Sequence, residues 1–386
     1  MSRRNFIKAG FASAVAIGTS GMASAENARK GKKPNLVIVF PDQMRAHAMG
    51  FMKEDAVITP VLDSFAKEGT VFTQAVSSAP VCSPFRASMM TGKYPHGNGV
   101  LSNCNSRGFE HGYELRKTDR CWPDILKDKG YSLGYIGKCH LDSPHKPYVE
   151  CANNRGKTAW NEWCSPDRRH GFDFWYAYGT YDYHFRPLYW RTGAKRDEFH
   201  CVDQWGPEHE ADMAARYINN ENRDFRDENQ PFALVVSMNP PHTGYEFVPK
   251  KYQDMYRETD VEKLCVRQGV PPQGTKWGDY YRRNIKNYLA MVTGVDEQFG
   301  RILKAIDKRG LKDDTIVIFM SDHGNCLGIH NEEAKNNHYE ESMRIPFIIR
   351  WPGKIKSVKD DLLFSPPDIY PTIMGLMGFE DDVPED

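Results

Sequence analysis

The stretch Asn35-Leu36-Val37-Ile38-Val39-Phe40-Pro41-Asp42-Gln43 is a short run of branched and aromatic apolar residues that stops abruptly at a carboxylate and an amide. Asn35 to Phe40 therefore reads as a buried strand with chemistry at its end. Three further segments repeat the pattern: Tyr131 to Ile136, Phe232 to Met238 and Thr315 to Met320. Helical stretches lie between them. In the clearest, Tyr280 to Lys308, the residues Ile285, Leu289, Val292, Val295, Phe299, Ile302 and Ile306 recur at helical spacing, and Gly310 supplies the stop. Strands alternating with helices predict an α/β fold with a largely parallel or mixed sheet covered on both faces. Polar residues follow each strand: Asp42 and Gln43, then Lys138 and His140, then His242, then Asp322 and His323. In open α/β sheets ligands bind at that edge. One such residue is ordinary surface, but four separated segments that each deliver one define a candidate site.

The rest of the chain bounds the function. Fifty-one basic residues balance fifty-one acidic ones over 386 residues, so an anionic ligand has to be attracted locally, and no nucleic-acid partner is indicated. Length alone allows about two domains. Arg3-Arg4 precedes the weakly apolar run Ala9 to Ala23 and the small-residue pattern Ala23-Ser24-Ala25. Residues 1–25 thus read as a cleaved twin-arginine signal, and 26–33 as a linker. The run falls short of the roughly 20 residues that span a membrane, so no stable anchor is expected. The implied destination is the periplasm or the exterior, by way of the twin-arginine export machinery. Nine cysteines, an odd number without metal-binding spacing, indicate neither a disulfide framework nor a zinc site.

Residues 159–190 are dense in aromatics without clean periodicity and read as the heart of an insertion spanning 150–205. Residues 265–277, with Gly269, Pro271, Pro272 and Gly274, read as a loop. Rings beside His and Arg suit sugar recognition, because a pyranose offers an apolar face and a hydroxyl rim. Tyr183, His184 and Arg186 are accordingly candidate substrate contacts.

Val81-Cys82-Ser83-Pro84-Phe85-Arg86 predicts a helix beginning at Cys82, with Pro84 tolerated in its first turn. Free backbone N–H groups and the positive end of the helix dipole favour an anion there, and Arg86 lies one turn on. Cys-x-Pro-x-Arg followed by Thr91-Gly92-Lys93 resembles the sulfatase family, formylglycine-dependent members of the alkaline phosphatase superfamily. Gly137-Lys138-Cys139-His140, Asn239-Pro240-Pro241-His242, Ser321-Asp322-His323-Gly324, Leu327-Gly328 with His330, Lys335, and Tyr339-Glu340-Glu341 before Arg344-Ile345-Pro346 match the family in order and spacing.

The resemblance implies a three-layer α/β/α fold with a large, mostly parallel, mixed sheet, and a catalytic domain over 34–376. It implies oxidation of Cys82 by a formylglycine-generating enzyme. The hydrated aldehyde is a geminal diol; one hydroxyl attacks sulfur and the other then expels sulfate. It further implies calcium, with manganese as the alternative, near Asp42, Gln43, Asp322 and His323 together with the modified residue 82. Arg86, Lys138 and Lys335 would neutralise the sulfate, His140 would serve the diol as base, and His242 the leaving group. His330 and His338 are structural or substrate-side.

A sulfated carbohydrate is the expected substrate. A phosphodiester or phosphonate ester hydrolase, or a non-catalytic sulfoglycan binder if Cys82 stays a thiol, are the alternatives. Two departures stand out: Phe85 replaces the usual small residue, and the family's C-terminal small-sheet subdomain is expected to be missing or incomplete, with 377–386 as its start.

Overall fold

The computed structural model describes residues 33–383; the expected signal and nearly all of the linker lie outside them. The four anticipated strands are β1 (Asn35–Pro41), β3 (Ser132–Lys138), β7 (Phe232–Met238) and β8 (Thr315–Met320). Six more complete a single mixed sheet: β2 (Thr70–Phe72), β4 (Phe174–Tyr178), β5 (Leu188–Arg191), β6 (His200–Cys201), β9 (Phe347–Arg350) and β10 (Val358–Asp360). The order is β10-β2-β9-β8-β1-β7-β3-β4-β5-β6. The central strands β8, β1, β7, β3 and β4 are mutually parallel, so their C-terminal ends share one edge.

β1 alternates its side chains between two cores. Val37 and Val39 enter one with the long Lys276–Lys308 helix and the Gly206–Asn219 helix, while Leu36, Ile38 and Phe40 enter the other with Phe85, Trp122, Ile369 and Ile373. That is the three-layer arrangement. The long helix begins at Lys276, inside the segment expected to be loop, because the Thr275 hydroxyl caps the Gly278 amide. The aromatic-rich segment supplies β4, β5 and β6 at the sheet's edge. At Gly137, φ is +94° and a Cβ would lie 2.1 Å from the Ser237 carbonyl, so only glycine lets β3 run this close to β7 just before Lys138.

No helix among the described residues is long and apolar enough to cross a membrane. The nine cysteines form no disulfide among the described residues.

Glu210, fully buried in the Gly206–Asn219 helix, accepts hydrogen bonds from Tyr178 and Tyr189 through Oε1, while Oε2 has no partner. Burial pushes its carboxyl up to about 8 against the pull of those hydroxyls. An acid whose folded pKa exceeds its unfolded value leaves stability intact below the unfolded value and removes it as pH rises toward the folded one. The variant Glu210→Gln should therefore melt like the parent near pH 5 and above it near pH 9, by a few kcal/mol, roughly, at about 1.4 kcal/mol per pKa unit. Parallel melting curves at the two pH values check this.

Candidate active site

Four strand ends and one helix start converge. Asp42 and Gln43 follow β1, Lys138 closes β3 with His140 just beyond, Asn239 and His242 follow β7, and Asp322 and His323 follow β8. Cys82 is the first residue of the Cys82–Thr91 helix. Gln43 and His140 both hold positive φ, 68° and 53°, as the chain turns sharply off its strand.

One ligand atom each from Asp42, Cys82, Asp322 and His323 lie within 4.8 Å of one another, all buried. His323 Nδ1 stands 3.0 Å from the Gly324 carbonyl, which can only accept, so the neutral ring is protonated there. Its Nε2 lone pair then faces Cys82 Sγ at 3.3 Å, Asp42 Oδ1 at 3.5 Å and Asp322 Oδ1 at 3.6 Å. Lone pairs of an imidazole and two carboxylates pointed at one another repel, and a divalent cation among them relieves the repulsion, so the donor set fits such an ion. Gln43 stands beside this set. Its amide N–H donates to Asp322 Oδ1 at 3.0 Å, and its side-chain oxygen accepts from Lys335 at 3.0 Å.

The surroundings are cationic. Lys138 Nζ reaches Asp42 Oδ2 at 2.8 Å, Asn239 Oδ1 at 3.0 Å and Cys82 Sγ at 3.8 Å, while Lys335 Nζ lies 3.3 Å from the same sulfur. Burial opposes charge on Asp42, but the neighbouring cations, Lys138 first and then His242 and Lys335, hold the carboxyl well below its usual range. Asp322 is pushed up to about 6 by burial and by Asp42. Burial and Asp42 push the Cys82 thiol up as well; the cations beside it, Lys138 and Lys335 foremost, reverse the balance and hold it well below the ordinary thiol value. Position 82 is thus a place where negative charge is stabilised.

Arg86 is used differently from the sequence expectation. Fully buried over the Phe40 ring, it donates to Asp42 Oδ2 at 3.0 Å, Asp322 Oδ2 at 3.1 Å, the Lys138 carbonyl and Ser237 Oγ. Both terminal nitrogens are committed to protein acceptors, and through them the guanidinium ties the two carboxylates together.

The two histidines are held in opposite senses. His140 donates Nε2–H to the Cys104 carbonyl at 2.9 Å; its buried Nδ1 has no full hydrogen bond, and Cys82 is its neighbour. Burial lowers its pKa more than Cys82 raises it, which keeps the ring neutral. His242 is bonded on both sides, Nδ1 to Asp182 Oδ1 at 2.9 Å and Nε2 to Lys335 Nζ at 3.0 Å. Burial, Lys335 and Lys138 push His242 down, yet Asp182 and Asp42 raise it overall.

The remaining candidates stand apart from Cys82. Tyr183 packs edge-on against Phe247 and Arg186 pairs with Asp203, both exposed. His184 is buried and donates to the Thr243 carbonyl, supporting the loop that carries His242. His330 binds Glu341 at 3.0 Å and stacks on Tyr339, against which His338 also packs. Sequence reasoning missed Asp182 and Asn239. Asn239 opens the Asn-Pro-Pro-His motif and so carried a signal; Asp182, inside an aromatic stretch, carried none.

An anion-stabilising helix start, a dicarboxylate–imidazole cluster and two lysines on the edge of an α/β sheet define a hydrolase of charged oxyacid esters. The sulfatase family profile matches residues 34–379, and this chain belongs to that family, the hydrolases of sulfate esters. It is 39% identical over 387 residues to an endo-4-O-sulfatase of Bacteroides thetaiotaomicron, a match covering 94% of this chain and 73% of that protein. It is 35% identical to an ulvan-active sulfatase of Formosa agariphila, covering 89% and 61%. A crystal structure of a sulfatase candidate from Bacteroides fragilis superposes with a TM-score of 0.88 at 52% identity, covering 96% of this chain and 77% of that one.

Proposed function

We propose that the protein removes sulfate from a carbohydrate sulfate ester, using residue 82 matured to formylglycine and calcium held by Asp42, Gln43, Asp322 and His323. The observation that carries this reading is the cluster of Asp42, Cys82, Asp322 and His323 within 4.8 Å, with two lysine ammoniums 3.3 and 3.8 Å from the sulfur. Cys82 Sγ stands in for the oxygens of the matured residue. Similarity to sulfatases named for a 4-O-sulfate and for ulvan supports a saccharide as substrate.

Once matured, residue 82 would supply the hydroxyl nucleophile, and a divalent cation held by Asp42, Gln43, Asp322 and His323 would supply Lewis-acid stabilisation of negative charge beside it. Lys138 and Lys335 offset the charge of the sulfate, while Arg86 holds Asp42 and Asp322 at their spacing. Neutral His140, with Nδ1 free beside residue 82, takes the proton that leaves it. His242, whose Nε2 lies beside Lys335 and Asp42, takes up a proton there and gives it to the departing sugar oxygen.

Residues 34–376 form the catalytic domain in this account. The chain is matured before it is exported by the twin-arginine route to the periplasm or beyond. The test is release of inorganic sulfate from defined sulfated mono- and disaccharides by the matured enzyme; release from aryl phosphonate esters alone would refute the reading. Treatment with a calcium chelator should abolish that release and lower the melting temperature, and calcium should restore both. Calorimetry with and without chelator gives a readout independent of turnover.

A further inference from the structure

Asp182 comes from the aromatic-rich segment, which has no part in the cation cluster, yet its carboxylate accepts from two side chains of the site and from Asn153. Oδ1 accepts from His242 Nδ1 at 2.9 Å and from Asn239 Nδ2 at 3.1 Å, and Oδ2 accepts from Asn153 Nδ2 at 3.2 Å. Asn153 Oδ1 in turn accepts from the Asp182 amide at 3.3 Å, so the carboxylate cannot swing away without breaking a reciprocal pair. Asn239 also accepts from Lys138 through Oδ1. A chain of bonds thus runs from Lys138 through Asn239 and Asp182 to His242 and Lys335.

We propose that Asp182 is the positioning residue for His242, fixing which ring nitrogen carries its proton and aiming Nε2 at the leaving-group oxygen. A carboxylate can only accept, so Nδ1 bears hydrogen in every protonation state and Nε2 is the nitrogen that faces the pocket. In the neutral ring Nε2 accepts from Lys335 on the other side; a proton taken up from solvent at Nε2, with that contact released, makes the imidazolium that acts as the acid. When His242 gives its Nε2 proton to the sugar oxygen, the ring passes from imidazolium to neutral while the Nδ1–H bond to Asp182 persists. No reorientation is then needed between turnovers. Thr243 Oγ1, 3.2 Å from the same Nδ1, is the competing partner once the carboxylate is removed, and being a donor as well it no longer dictates the tautomer.

The inference rests on the leaving-group role given to His242, so the experiment separates the two. The matured, calcium-loaded parent, Asp182→Asn, Asp182→Glu, His242→Ala and the Asp182→Asn/His242→Ala double variant are assayed on aryl sulfates with strongly and weakly acidic phenols. Asp182→Asn should lose on the order of 10^2-fold or more in kcat on the weakly acidic phenol, at nearly constant KM, and only a few-fold on the strongly acidic one. Asp182→Glu should recover part of the loss, and the double variant should be no slower than His242→Ala. Imidazole nitrogen shifts of labelled protein should show protonated Nδ1 at His242 in the parent and a tautomer mixture in Asp182→Asn, a readout that survives if turnover is too low to measure. Equal losses on both phenols, a loss confined to KM, a further loss in the double variant, or an unchanged tautomer would overturn the inference while leaving His242 as the acid. A His242→Ala variant insensitive to the phenol would overturn both.

Discussion

Cys82→Ala leaves a folded protein that no longer turns over sulfate esters, with kcat reduced on the order of 10^4-fold or more. Residue 82 is the first residue of its helix and lies within the Asp42, Asp322 and His323 cluster, with lysine ammoniums 3.3 and 3.8 Å from its sulfur. The substitution removes one small buried atom, so the loss of stability is modest beside the loss of function. Steady-state assay of sulfate release, with circular dichroism to confirm the fold, checks it. Turnover within tenfold of the parent would refute the role assigned to Cys82.

His242→Ala is expected to cost about 10^2- to 10^4-fold, the range typical of a lost general acid. The size should depend on the substrate, which makes the prediction specific. A leaving oxygen whose conjugate acid is strong departs without a proton, so the variant should retain most of its activity on activated aryl sulfates and fail on sugar sulfates. His140→Ala should differ: Nδ1 of that ring lies by residue 82 and not by the leaving group, so its loss should be uniform across leaving groups. A series of substituted phenyl sulfates separates the two histidines.

The sequence made the centre of the sheet legible because β1, β3, β7 and β8 are buried on both faces, and burial writes itself as unbroken apolar runs. It was silent on β2, β6 and β10, which are two or three residues long and take their identity from register, as when Thr70 pairs with both Ile349 and Val358. β4 and β5 were hidden among Trp and Tyr residues that serve a core and a strand at once. Within the site, groups following a long strand were readable, whereas Asp182 was not, since its partner His242 is sixty residues away and only the fold joins them. Arg86 could be placed near Cys82, but not its acceptors. Helical spacing places a residue on a face, and it took the burial of Asp42 and Asp322 to decide that the guanidinium serves them.

The central claim is that turnover depends on residue 82 being an aldehyde hydrate and not a thiol. Mass spectrometry of the peptide carrying residue 82, on protein produced with and without a formylglycine-generating enzyme and assayed in parallel, tests it directly. Active protein should have exchanged one sulfur and two hydrogens for one oxygen at that residue, and activity should scale with the converted fraction. Full activity in protein whose residue 82 is entirely cysteine would contradict it.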